Sequence, residues 1–218
     1  MHAPEAPVPP RWLASARAVL SGRRRAILGI AGPPGAGKSS LAAALVSALG
    51  TRAALVPMDG FHLANDELRR LGRAERKGAP DTFDAAGYVA LLQRLRNPVP
   101  LETVYAPVFR REIEEAIAGA IPIGPDVALV VTEGNYLLLD DPPWDRVRPL
   151  LDACWYVDID ATTRRERLIQ RHMRHGRSAE AARAWVLRSD EANASLIEAT
   201  KDRADAMLRW PPEPSHSP

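Results

Sequence analysis

An α/β fold is predicted for this chain, a parallel sheet of about five strands with helices on both faces, and three observations predict it. Short apolar runs alternate with longer stretches of helical periodicity between residues 26 and 209, the pattern of strand-helix-strand crossovers. The run Ala26-Ile27-Leu28-Gly29-Ile30-Ala31 passes through a glycine-rich loop into Leu41, Leu45 and Leu49 at helical spacing, so a buried strand leads into a helix N-terminus. Acids stand directly after several apolar runs, at the carboxyl edge where an open parallel sheet binds its ligand.

The strands read, in order, as 26–31, 53–58, 127–132, 153–159 and a short one near 204–209. Beyond the helix that follows the glycine-rich loop, helices are predicted at 62–71, 84–96, 161–175 and 178–198. The last two are separated by His175-Gly176-Arg177, a helix stop, with Ser178 as the next N-cap. Residues 97–126, with prolines at 98, 100, 107, 122 and 125, read as loop with one short hairpin or helix. Residues 1–12 and 211–218 are proline-rich and expected to be flexible tails around a single domain at 13–210.

Composition narrows the function classes. A length of 218 residues with 46% hydrophobic content suits one sizeable core. Net charge is +2 and the isoelectric point about 8.9, too balanced for a general nucleic-acid binder. The one cysteine, Cys154, lies in the apolar run Ala153-Cys154-Trp155-Tyr156-Val157, which excludes an internal disulfide and fits a reducing cytoplasm. No apolar stretch approaches a membrane span, and the N-terminus lacks a signal-peptide core. A small molecule is therefore the expected partner, with neither nucleic acid nor membrane, and a homodimer is left open.

The loop itself is Gly32-Pro33-Pro34-Gly35-Ala36-Gly37-Lys38-Ser39, followed by Ser40, a full G-x-x-x-x-G-K-S phosphate-binding pattern. Glycines let successive backbone N–H groups turn inward around phosphate oxygens, and the helix start adds partial positive charge. Lys38 is expected to reach the β/γ-phosphates of a nucleoside triphosphate and Ser39 to offer its hydroxyl to Mg²⁺. Lysine is scarce, occurring only as Lys38, Lys77 and Lys201, so this one does not follow from composition.

Acids after three of the apolar runs, Asp59, Glu133 and the pair Asp158 and Asp160, are expected at one rim. Glu133 stands where a strand-end acid holds Mg²⁺, although a solvated strand end is also consistent with it. Asp59, before Gly60, can accept the proton of an alcohol attacking the γ-phosphate, or serve as turn residue or helix N-cap. Phe61, His62, Asp81, Phe83, Tyr105 and Phe109 are candidates for lining an acceptor pocket, and each can equally be core or loop packing. Arg164, Arg167, Arg171 and Arg174 recur at three, four and three residues, one helical face. That ridge suits an arginine-rich lid over residues 162–178, or an ordinary solvated surface.

These residues resemble the uridine kinase, phosphoribulokinase and bacterial pantothenate kinase superfamily of P-loop kinases. The likeness rests on the loop at 32–39, Asp59-Gly60-Phe61, Pro80-Asp81-Thr82-Phe83-Asp84, Glu133-Gly134 and the arginine-bearing 164–177. Within it, the chain is similar to small bacterial kinases labelled fructose transport system kinase, which share Asp59-Gly60-Phe61-His62, Tyr105-Ala106-Pro107-Val108-Phe109 and Glu133-Gly134-Asn135-Tyr136. The resemblance implies a three-layer P-loop NTPase fold and an ATP-dependent, Mg²⁺-requiring transfer to the hydroxyl of a sugar, nucleoside or pantothenate-like alcohol. It implies Asp59 as general base, Glu133 as the Mg²⁺-associated acid, and Arg167 or Arg171 as the lid arginine. The chain departs from the group at Arg110, where an acid usually follows Phe109. A regulatory NTPase with no small-molecule acceptor is the competing class, and a nucleic-acid enzyme a third.

Overall fold

The structure, a computed structural model, describes residues 7–211. Its centre is a five-stranded sheet of β1 (Ala26–Ala31), β2 (Ala53–Pro57), β5 (Leu129–Gly134), β6 (Ala153–Asp158) and β7 (Ala206–Arg209). The order is β2-β5-β1-β6-β7 and every pairing is parallel. β1 and β5 are buried along their whole length, and their side chains divide by parity. Ala26, Leu28, Ile30, Leu129 and Val131 face one core, with Leu41 and Leu45 of α2 (Lys38–Leu49) and Ala16 of α1 (Pro10–Ala18). Ile27, Ala31 and Val130 face a second core, with Tyr88, Val89, Leu92 and Leu95 of α4 (Ala85–Arg96). This is the three-layer arrangement, and each fully buried leucine in it contributes about 1.5–3 kcal/mol by leaving water.

Local chemistry sets the helix starts. Asp84 caps α4 by accepting from Gly87 N at 2.8 Å, and Asp160 caps α5 (Ala161–Arg174) by accepting from Thr163 N at 2.9 Å. Ser178 caps α6 (Ala179–Trp185) through Ala181 N at 3.1 Å, as its place after the glycine stop predicts. From there the chain runs through a π-turn at Val186–Asp190 into α7 (Glu191–Glu198), so the expected 178–198 helix is continuous but locally widened.

Four expectations need correction. The helix expected at 62–71 shortens to α3 (Asn65–Arg70), because His62 is extended and bridges to Phe83. The irregular 97–126 contains an antiparallel pair, β3 (Val104–Arg110) and β4 (Glu115–Ile123), longer than the short hairpin expected. Its prolines are tolerated because the pair has no further strand beside it, so the missing N–H groups leave no ladder bond unmade. The third strand runs to Gly134, which places Glu133 within it. At the N-terminus the helix begins at Pro10 and takes in the last three residues of the segment expected to be a tail, since proline suits the first helical turn. The remainder of the expected tails, 1–6 and 212–218, lies outside the described residues. Among the described residues, no helix is long and apolar enough to cross a membrane.

Candidate active site

The loop between β1 and α2 brings backbone donors and a buried cation together. Gly37 has φ +95° immediately before the helix, a conformation that frees the first N–H groups of α2 to point into the loop. Lys38 is buried, and its Nζ donates to Pro33 O at 3.0 Å and Asn135 Oδ1 at 2.8 Å. Burial pushes the Lys38 ammonium down to about 8, although the carboxylates of Glu133 and Asp59 act in the opposite direction. Ser39 Oγ donates to Glu133 Oε1 at 3.0 Å, and Ser40 is exposed on the next position of the helix. Burial and the nearby Asp59 push Glu133 up to about 6, against the pull of Lys38, Ser39 and Arg111.

Nucleotide binding therefore carries a proton signature. At pH 8 Lys38 is close to half protonated in the nucleotide-free protein, and a bound diphosphate adds anionic charge beside it and raises its pKa. ADP binding in EDTA at pH 8 is expected to take up to about half a proton from buffer. Titration calorimetry in buffers of differing ionisation enthalpy measures this, and proton release instead would remove Lys38 from the phosphate site.

Asp59 lies two residues beyond β2, in a single 3₁₀ turn over Met58–Phe61. Its carboxylate caps no helix; Oδ2 accepts from Arg111 Nη2 at 3.2 Å, and its backbone carbonyl is 2.8 Å from His62 Nδ1. A carbonyl can only accept, so Nδ1 carries the ring proton. Burial pushes His62 below its ordinary value, which leaves Nε2 an acceptor at neutral pH. The β3–β4 hairpin reaches this turn through Pro107, whose carbonyl approaches within 2.5 Å of where a Cβ on Gly60 would stand. Only glycine permits that approach, which brings Arg111 to Asp59.

The aromatic candidates divide. His62 packs between Phe83 and Phe109, with ring centroids 4.0 and 4.6 Å away. Phe83 is itself core, edge-on to Tyr136 and Trp144, and Phe61 packs on Tyr88 at 5.1 Å. Phe109 is half-buried and carries Lys77 Nζ 5.1 Å and Arg111 Cζ 5.9 Å from its ring centre. Tyr105 is 58% exposed and makes no hydrogen bond or ring contact with this group. Asp81 is committed elsewhere: Arg76 donates to both its oxygens and Arg73 donates to its carbonyl at 2.7 Å, so it pins the 73–84 loop.

The arginine ridge also divides, and so does the row of acids. Arg164 is 1% exposed and donates to Glu191 on α7, so it belongs to the packing between α5 and α7. Arg167 Nη1 reaches Trp210 O at 3.4 Å beside Gly37. Burial pushes Arg171 down, and Arg111 acts in the same direction, against Asp190 and Asp59, so it shares the charge environment of Asp59. Arg174 is exposed. Of the acids expected at one rim, Asp160 is spent as a helix cap and Asp158 lies 3.9 Å from Arg209, leaving Asp59 and Glu133 together. Arg164→Ala is expected to lower stability by about 2–5 kcal/mol, since it empties the space of a fully buried side chain, while Glu191 keeps Arg165 as its partner. Arg171→Ala should leave stability nearly unchanged and slow phosphate transfer about 10²-fold. Urea melts alongside turnover assays check both.

Two members of the group were not foreseen as site residues. Asn135 directly follows Glu133-Gly134 and takes a Lys38 hydrogen bond, and its signal was adjacency to a strand-end acid. Arg111 sits at the hairpin turn and meets Asp59 across 52 residues of sequence, for which no local pattern exists. The field of the Asp59–Arg111 pair reaches Lys38, His62, Glu133 and Arg171, so all six share one small volume.

Comparison with known proteins places this geometry among kinases. Residues 27–215 match the model of the Phosphoribulokinase / Uridine kinase family. A Schizosaccharomyces pombe protein provisionally named a uridine kinase is 34% identical over 202 residues, covering 88% of this chain and 86% of its own. A pantothenate kinase of Mesorhizobium japonicum is 33% identical over 159 residues, 68% of this chain and 49% of its own. Among solved structures, a Silicibacter sp. TM1040 protein provisionally named a fructose transport system kinase superposes with a TM-score of 0.78 at 40% identity. That match covers 90% of this chain and 98% of the other.

Proposed function

The chain belongs to the phosphoribulokinase / uridine kinase family, and from that premise we propose that it transfers the γ-phosphate of ATP to a hydroxyl group of a small metabolite. The observation that carries the reading is the convergence of Asp59 with Lys38 and Glu133. A carboxylate that caps nothing stands within the field of a buried lysine on a phosphate-binding loop. A regulatory NTPase has no need of a second carboxylate beside Glu133.

The residues fit Mg²⁺ together with the nucleotide. Ser39 Oγ and Glu133 Oε1 are hard oxygens 3.0 Å apart beside the loop, and Mg²⁺ takes few protein ligands when phosphates and water supply the rest. Bound there, the ion would supply Lewis-acid neutralisation of phosphate charge. The chain's own residues do the remainder. Backbone N–H groups of 35–38 and Lys38 hold the phosphates, and Asp59 aligns the acceptor hydroxyl and takes its proton as the new P–O bond forms. Arg167 and Arg171, from α5, neutralise charge on the transferring group and cover it from water. Asn135 and the Pro33 carbonyl hold the Lys38 ammonium in place.

Names of relatives point to different acceptors, uridine in one and pantothenate in another, so the acceptor class has to be read from this chain's pocket. A coupled assay of ADP formation across sugars, nucleosides and hydroxy acids tests the activity. Acceptor-dependent ADP formation is expected, and ATP turnover that no acceptor accelerates would shift the reading to an NTPase.

A further inference from the structure

Building on that kinase reading, we infer that the acceptor is itself an anion, an alcohol carrying a carboxylate or phosphomonoester that Arg111 and Lys77 bind beside Phe109. Charge and placement lead to this. Three cations act on the acids and on one another, Lys38, Arg171 and Arg111, and a fourth, Lys77, acts on the adjacent His62. Lys38 lies on the phosphate loop, and Arg171 on α5 covers it, so the nucleotide phosphates answer both. Arg111 and Lys77 come from the hairpin turn and the 65–78 segment, and meet at the Phe109 ring.

The acids within reach do not match those two. Glu115 is spent on the backbone N–H of Asn65, accepting at 3.0 Å. Glu114 lies 3.9 Å from Lys77 with half its side chain in water. Among the described residues Arg111 has one ion pair, to Asp59 at 3.2 Å, beside its contact with the Phe109 ring, and its side chain is 43% exposed. Its planar fork presents further N–H groups with no acceptor among the described residues, in the geometry that binds a carboxylate or phosphate through two hydrogen bonds. Lys77 Nζ donates to Asn65 Oδ1 at 2.6 Å and to the Glu114 carbonyl, which holds the ammonium over the ring. His62 is neutral and adds shape only. A neutral polyol would leave the remaining Arg111 N–H groups to water; an anion beside Phe109, within reach of both cations, answers them and sets the hydroxyl at Asp59.

The test uses matched pairs differing in the anionic group: D-glycerate and glycerol, pantothenate and pantothenol, ribose 5-phosphate and ribose. At least one anionic member is expected to exceed its neutral partner by about tenfold or more in kcat/KM, and the pair that responds tells carboxylate from phosphate. Arg111→Gln should lower kcat/KM for that anion about 10²-fold, mainly by raising KM, and Arg111→Lys should recover part of the loss. Lys77→Met should erode the same preference. Neutral partners reacting as well as anions would overturn the inference while upholding the kinase. So would an Arg111→Gln variant that lowers kcat equally for both members with KM unchanged, since Arg111 would then only position Asp59. ADP formation unaffected by every compound would overturn the kinase reading, and this inference with it.

Discussion

Asp59→Asn is expected to slow phosphate transfer by about 10²–10⁴-fold and to leave ADP affinity unchanged or slightly tighter. The first effect follows from chemistry: an amide cannot take the hydroxyl proton, and the neighbouring carboxylate, Glu133, is hydrogen-bonded to Ser39. The second follows from charge, since Asp59 is a negative neighbour of a phosphate site and its removal lessens repulsion. The substitution is nearly isosteric, and the carbonyl contact to His62 is made by backbone, so the fold is preserved. Single-turnover kinetics and calorimetric ADP titration read the two quantities separately. A variant retaining transfer within about tenfold of the parent would show that Asp59 only anchors Arg111.

Lys38→Met should lower kcat/KM by about 10²–10³-fold, the cost of losing one preorganised group aimed at developing charge. Its effect on stability should have the opposite sense. The native protein holds the ammonium away from water, and burial pushes its pKa down, so replacing it with an apolar chain of similar length removes a desolvation cost. Asn135 Oδ1 and the Pro33 carbonyl lose a donor, which offsets part of that gain. Melting temperature is therefore expected to hold or rise while activity is lost. A fall in melting temperature in step with activity would make Lys38 a packing residue and weaken the phosphate assignment.

What could be read from sequence was whatever depends on neighbours along the chain. The phosphate loop, its flanking strand and helix, the cap at Ser178 and the parallel sheet all follow from spacing and local hydrogen bonding. Periodicity could place Arg164, Arg167, Arg171 and Arg174 on one face. It could not say that α7 lies over the first of them and that Glu191 takes it. The same holds for Asp81, whose partners on the preceding loop are invisible to a pattern of residue types.

Sequence by itself determined a nucleotide-binding α/β domain and set Asp59, Glu133, Asp158 and Asp160 at the ends of its strands, because a strand-loop-helix and its strand ends are written in consecutive residues; only folding left Asp59 and Glu133 together. Tertiary structure alone decided what stands opposite Asp59. The hairpin is brought there by a glycine close approach at residue 60, and Arg111 arrives across 52 residues. Whether a charged side chain binds a ligand, caps a helix or joins an ion pair depends on which distant group it meets after folding, and the energies that decide it vary steeply with that distance.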